Sequence, residues 1–154
     1  MKQIKTIILL LICAIALTAC SSKDTENILK FQNELNSVLS EIASIHTEIN
    51  SIDVTSPDAS DHVLESLSEL NDAFADLAAI NVTDDNHLYI KDLASEGADY
   101  MSQAYDLYQK AYGGDVFDEG NAELAYKYLE RATKRVRVIV SMLHGDVPDD
   151  VIIH

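Results

Sequence analysis

The side chains able to do chemistry in this 154-residue chain are five histidines, 26 aspartates and glutamates, two cysteines and seven tyrosines. In number they would suffice for a metal centre, but their spacing does not form one. A di-iron helical bundle takes Glu-x-x-His from each of two helices, with further glutamates facing them. No histidine here follows a glutamate at that interval, and the nearest approach is Asp84 before His87. His46, His62, His87, His144 and His154 fall in separate segments, without the His-x-x-x-His pair that puts two ligands on one helical face. Asp58 and Glu65 share a face with His62, which suits an exposed, locally paired histidine. No Gly-x-Ser-x-Gly, phosphate loop or dinucleotide fingerprint occurs, and no serine is marked as a nucleophile. No catalytic residue, metal ligand or cofactor is expected, and the chain reads as a non-enzyme.

Both cysteines lie near the start. Lys2 and Lys5 flank the beginning of an almost purely apolar run from Thr6 to Ala16. That run is shorter than the ~20 residues a mature spanning helix takes, and it suits the hydrophobic region of a secretory signal. The next four residues, Leu17-Thr18-Ala19-Cys20, closely resemble the lipobox of bacterial lipoproteins: aliphatic, small, Ala, Cys. The resemblance covers the first twenty positions alone. It implies cleavage before Cys20 by signal peptidase II and a diacylglycerol on the Cys20 thiol. Cys13 is a poor alternative, because Ile12 stands where a small residue is needed. An ordinary signal cut and an uncleaved anchor helix are the competing readings of this segment.

The expected organisation is a lipoprotein signal peptide over 1–19, lipidated Cys20 with a short polar tether over 20–24, a helical domain over 25–145 and an acidic and apolar tail over 146–154. The expected location is the extracytoplasmic face of the cell membrane. In lipoproteins of this type Ser21, in place of Asp, favours the outer membrane wherever the cell has one. The mature chain would have no free thiol, which removes disulfides and thiol catalysis despite an oxidising setting.

Charge narrows the partners further. The formal net charge is −15, and loss of Lys2 and Lys5 with the signal takes it to −17. Nucleic acid is excluded as a partner, since phosphate contacts need clustered cations. Anionic headgroups should repel such a domain, so the acyl chains and not the protein surface would hold it at the membrane.

The elements that position these residues are helices. The chain is 47% hydrophobic with no Trp, two Pro and five Gly, which favours helices over a turn-rich β fold. Ile28, Phe31, Leu35, Val38, Ile42, Ile45, Ile49 and Ile52 step by three and four without a break, the stripe of a bundle helix. Ser56-Pro57 reads as an N-cap followed by Pro at the first helical position, ahead of a second stripe, Val63, Leu67, Leu70, Phe74 and Leu77. A third helix, capped at Thr83 or Asp84, places Ile90, Leu93, Gly97, Tyr100, Ala104, Leu107 and Ala111 on its seam and ends at Gly113-Gly114. The small residues there would admit a neighbour closely. A fourth helix starts near Asp118 or Asn121, shows Ala125, Leu129, Ala132, Val136, Ile139 and Leu143, and meets a C-cap at Gly145 with Pro148 beyond. Val151, Ile152 and Ile153 make the tail apolar in part.

Four helices of about 24 to 29 residues with short loops predict an all-α, antiparallel up-down-up-down four-helix bundle, a rod of roughly 40 Å. Its order gives it polarity. Cys20 and the turn at 81–83 lie at one end, and the loops 53–57 and 113–120 lie at the other, far from the membrane.

Six of the seven tyrosines fall between Tyr100 and Tyr128. In an antiparallel pair joined at Gly113-Gly114, Tyr105, Tyr108 and Tyr112 come level with Tyr126 and Tyr128 in the far half of the rod. They form a contact patch or cleft, or they fill the wide end of the bundle. Val116 and Phe117 sit in the connecting loop and either tuck beneath the bundle or engage a partner. Asp53, Asp58, Asp61, Asp115, Asp118 and Glu119 surround them without the spacing of a calcium loop, which suits capping and solvated charge. Lys127, Arg131, Lys134, Arg135 and Arg137 crowd the fourth helix and are expected to pair with acids on neighbouring helices.

The function expected from these features is a lipid-anchored, extracytoplasmic binding or scaffolding module without catalysis. It would contact an envelope protein or polymer through Tyr105, Tyr108, Tyr112, Val116, Phe117, Tyr126 and Tyr128. The alternative is a small-ligand sensor or carrier with a tyrosine-lined cleft between the third and fourth helices. The heptads also permit a homo-oligomer.

Overall fold

The computed structural model describes residues 22–53, 55–82, 87–114 and 116–144, with side-chain burial from residue 26 onward. The signal segment with Cys20, the caps expected at Thr83 or Asp84, Asp115, Gly145, Pro148 and the apolar tail at Val151 to Ile153 lie outside the described residues. The chain forms an all-α four-helix bundle: α1 (Ser22–Ile49), α2 (Ala59–Ala79), α3 (Leu88–Tyr112) and α4 (Glu119–Leu143). Each helix packs on the next in sequence, and α3 and α4 make the most extensive contact.

The heptad seams form the core, but the apolar face is wider than the seams. Phe31, Leu35, Ile42 and Ile45 of α1 are buried, and so are Leu67, Leu70, Phe74 and Leu77 of α2. Leu39, Ala73, Ala94, Met101 and Val138 lie beside the expected stripes and are buried as well. Tyr100, Leu129, Val136 and Leu143, expected on the seams, sit at the edge of the core, half-buried. A globular bundle buries an arc of each helix rather than a line, which shifts the buried set by one position in places.

The extensive α3–α4 contact follows from small residues. Ala104, Ala111, Ala125 and Ala132 are fully buried, and Gly97 lies under Phe74. A Cβ on Gly97 would stand 3.3 Å from Phe74 Cε1 and 3.5 Å from Arg135 Cβ. That spacing leaves no room for a longer side chain.

The ends differ in detail from expectation. α1 begins at Ser22, so residues 22–24, expected as tether, are helical. Phe31 is the first buried residue of α1 among those whose burial is described, and its ring meets that of His87, at the start of α3, at 5.6 Å. α2 begins at Ala59 rather than Pro57, with Asp58 at the N-cap and no side-chain capping bond. The Ser56 hydroxyl expected to cap it donates to the Asp58 carboxylate instead. α3 closes at Gly113, whose N–H donates to the Gln109 carbonyl at 2.8 Å. Gly113 has φ −81°, an ordinary right-handed value. What requires glycine there is space, since a Cβ would stand 2.6 Å from the Gln109 oxygen. The start of α4 is as expected: Asp118 Oδ1 accepts from the Asn121 N–H at 3.0 Å, and Asp118 Oδ2 accepts from the Asn121 amide at 2.8 Å. The C-cap of α4 is His144, one residue before Gly145.

Candidate functional site

The α3–α4 turn positions an aromatic end. The Asp118 N–H donates to the Ala111 carbonyl at 3.0 Å, which folds the loop back on the last turn of α3. Phe117 thereby rests on Tyr112, ring centroids 5.2 Å apart. Tyr112 stacks in turn on Tyr108, one helical turn below, at 6.4 Å and an interplanar angle of 27°. Burial pushes the Tyr108 hydroxyl pKa up, and the neighbouring hydroxyls of Tyr112 and Tyr126 add to the shift. α3 and the loop thus contribute contacting rings, and on α4 the ring of Tyr126, whose hydroxyl acts on that of Tyr108, is exposed.

That surface is not covered by the rest of the bundle. Val116 is 81% exposed, Tyr126 53%, Phe117 52% and Leu124 44%. Between the two expectations for Val116 and Phe117, the structure excludes tucking beneath the bundle. Leu124 had no mark in the sequence beyond being apolar and off the seam of α4.

Tyr105 and Tyr128 fall elsewhere. Tyr105 is half-buried against the core. Tyr128 pairs with Tyr100 at 6.2 Å, lower on the rod. Two arginines of α4 lie over that pair: Arg131 at 5.3 Å from the Tyr128 ring and 5.8 Å from Tyr100, and Arg135 at 5.8 Å from Tyr100. Arg135 is fixed across the seam by Glu96, Nε to Oε2 at 2.5 Å. The single tyrosine field read from the sequence is thus two clusters, one uncovered at the end of the rod and one beneath guanidinium groups. The cations of α4 also divide. Arg135 makes the expected inter-helix pair, Lys127 pairs within its own helix with Glu123 at 2.8 Å, and Arg131 serves the rings.

The acids near the aromatic end are locally occupied. Hydrogen bonds from the Thr55 hydroxyl and N–H lower the Asp53 pKa, and the Ser56 hydroxyl lowers that of Asp58. His62 lies 3.4 Å from Asp58 and 3.9 Å from Glu65, all exposed. Among the described residues, no group of three or more His, Cys, Asp or Glu side chains is arranged to hold a metal ion. Among the described residues one polar group is left over inside the bundle. His46 Nε2 is buried without a hydrogen-bond partner, and burial, helped by the Arg137 charge, lowers its pKa from 6.5.

Compared with known proteins, the chain matches no family model, no curated protein and no solved structure. Among the described residues no helix is long and apolar enough to cross a membrane.

Proposed function

We propose that the chain is a lipid-anchored, non-catalytic binding or scaffolding module at the extracytoplasmic face of the cell membrane, in the outer membrane where there is one. It contacts an envelope protein or polymer through the end that carries Tyr108, Tyr112, Val116, Phe117 and Tyr126. The observation that carries this reading is the exposure of Val116 and Phe117 on top of a stacked tyrosine pair. Large aromatic side chains left in water at the tip of a rod cost solvation free energy, and contact with a partner recovers it. Polarity supports the same end. α1 begins two residues after Cys20, and Phe31 meets the start of α3, so the Tyr112 end of α3 lies about 36 Å further along that helix. The close approach of α3 and α4 through Gly97 and the buried alanines favours a surface contact over a cleft between those helices.

Chemical crosslinking in cells of the full, tagged chain tests the reading. An envelope component should be recovered reproducibly with the wild-type chain and lost with V116S/F117S at equal expression. Recovery unaffected by that double change would end the claim for this surface. Mass analysis of the N-terminus of the membrane-bound chain tests the anchor: it should begin at a diacylated Cys20, and an unmodified Cys20 or an intact segment 1–19 would end the claim.

A further inference from the structure

We propose that the uncovered aromatic end docks an arginine-bearing basic segment of an envelope protein, an inference that rests on the proposed function and gives its partner a chemistry. The first argument is internal to the molecule. Where tyrosines pair lower on the same two helices, the chain's own guanidinium groups lie over the rings, Arg131 on Tyr128 and both Arg131 and Arg135 on Tyr100. Among the described residues no guanidinium lies over Tyr108, Tyr112, Phe117 or Tyr126. Tyr108 and Tyr112 are engaged with each other and with Phe117, and the half-exposed rings of Phe117 and Tyr126 are the ones left without a guanidinium. A planar guanidinium is also the cation that stacks best on such faces and sheds water most readily.

The second argument is charge complementarity. Asp118 and Glu119 follow Phe117 directly, and the α1–α2 loop at the same end of the bundle adds Asp53 and Asp58. All four side chains are in exposed residues. A chain with a net charge of −15 repels acidic partners and attracts basic ones over the range of the Debye length. An uncharged glycan could stack on the rings and donate hydroxyl hydrogen bonds to the acids but gains nothing from their net charge, and an anionic polymer would be opposed by it. A basic segment with apolar residues between its arginines uses both.

The test uses the full chain in detergent micelles and three fluorescein-labelled twelve-residue peptides, in which Arg, Lys or Glu alternates with Leu. The Arg peptide should bind, the Lys peptide should bind about three- to tenfold more weakly, and the Glu peptide should not bind. V116S/F117S should weaken Arg-peptide binding at least tenfold. The charge variant D118N/E119Q, which keeps a capping side chain at position 118, should weaken it less and flatten its dependence on salt. Equal affinity for the Arg and Lys peptides would overturn the proposal, because charge alone would then explain binding. Arg-peptide binding indifferent to both variants would also overturn it, and so would the absence of binding at millimolar peptide. If cells yield an envelope partner that V116S/F117S loses while the Arg preference is absent, this inference fails and the proposed function stands. A second copy of the chain recovered at that end would likewise overturn the basic-segment partner.

Discussion

The bundle carries two aromatic clusters on the same pair of helices, built from the same residue types, and it treats them in opposite ways. Tyr100 and Tyr128 lie low on the rod, half-buried, with two arginines across their faces and Glu96 holding one of those arginines in place. Tyr108, Tyr112, Phe117 and Tyr126 lie at the tip, and nothing among the described residues covers Val116 or the outer ring faces. A cation over a ring, fixed across a helix seam, is a structural device that specifies how α3 and α4 sit. The stack at the tip is rooted in the core through the half-buried Tyr108 but ends in an exposed Val and Phe that pack under nothing described. Residue type does not separate a structural tyrosine from a contact tyrosine here; what lies over the ring does.

Substitutions in the two clusters and in the packing beneath them test that contrast. The largest effect should come from the packing both clusters hang on. Phe74 is fully buried and closes against Gly97, so Phe74→Ala should cost about 3–5 kcal/mol in urea unfolding. Gly97→Leu forces a side chain into the same gap and should cost about 1–3 kcal/mol, with the α3–α4 seam opening. Next comes the direct comparison of clusters. Tyr100→Ala should destabilise the fold by about 2 kcal/mol through lost burial and lost guanidinium contact, whereas V116S/F117S should leave stability within about 0.5 kcal/mol while removing the far-end association. Equal costs for the two changes would erase the distinction between the clusters. Smaller still, Arg131→Met should cost about 0.5–1 kcal/mol, measured as a shift in the denaturant midpoint with an unchanged slope.

The smallest effect is a pH dependence that should belong to the helix body and not to the tip. Burial and the Arg137 charge hold the His46 pKa below 6.5 in the folded chain. Unfolding therefore takes up a proton as pH falls through 6.5, and stability should decline below that value and be flat above it. His46→Leu should remove that decline, as read from urea midpoints at pH 5 to 8, without affecting far-end binding. A decline that persists in the variant would assign it to other groups.

Much of the fold was legible because a bundle is written locally. Steps of three and four place Phe31, Leu35, Ile42, Phe74 and Leu77 on inward faces, and all are buried. Asp118 three residues before Asn121 announces the start of α4, and the cap bond is there. Expectation and structure differ where a side chain has two uses. Ser56 could cap a helix or bond the next carboxylate, and it took the latter, so α2 starts two residues late. The arginines of α4 could pair with acids or lie on rings, and spacing along one helix does not say which ring stands opposite. Splitting the tyrosines into a covered and an uncovered cluster needed the register of α3 against α4, which depends on the close approach at Gly97 and the buried alanines. Leu39 and Met101 lie outside a two-position seam and are buried because the buried arc is broader.

The claim that the tip is the contact surface and the covered cluster is structural is tested most directly by paired photo-crosslinking in cells. A photoactivatable residue is placed at Val116 in one full-length chain and at Arg131 in another, and both are irradiated at matched expression. The account predicts an adduct with the same envelope component from position 116 and none from position 131. Adducts from position 131 with none from position 116 would contradict it and move the contact surface to the side of the rod.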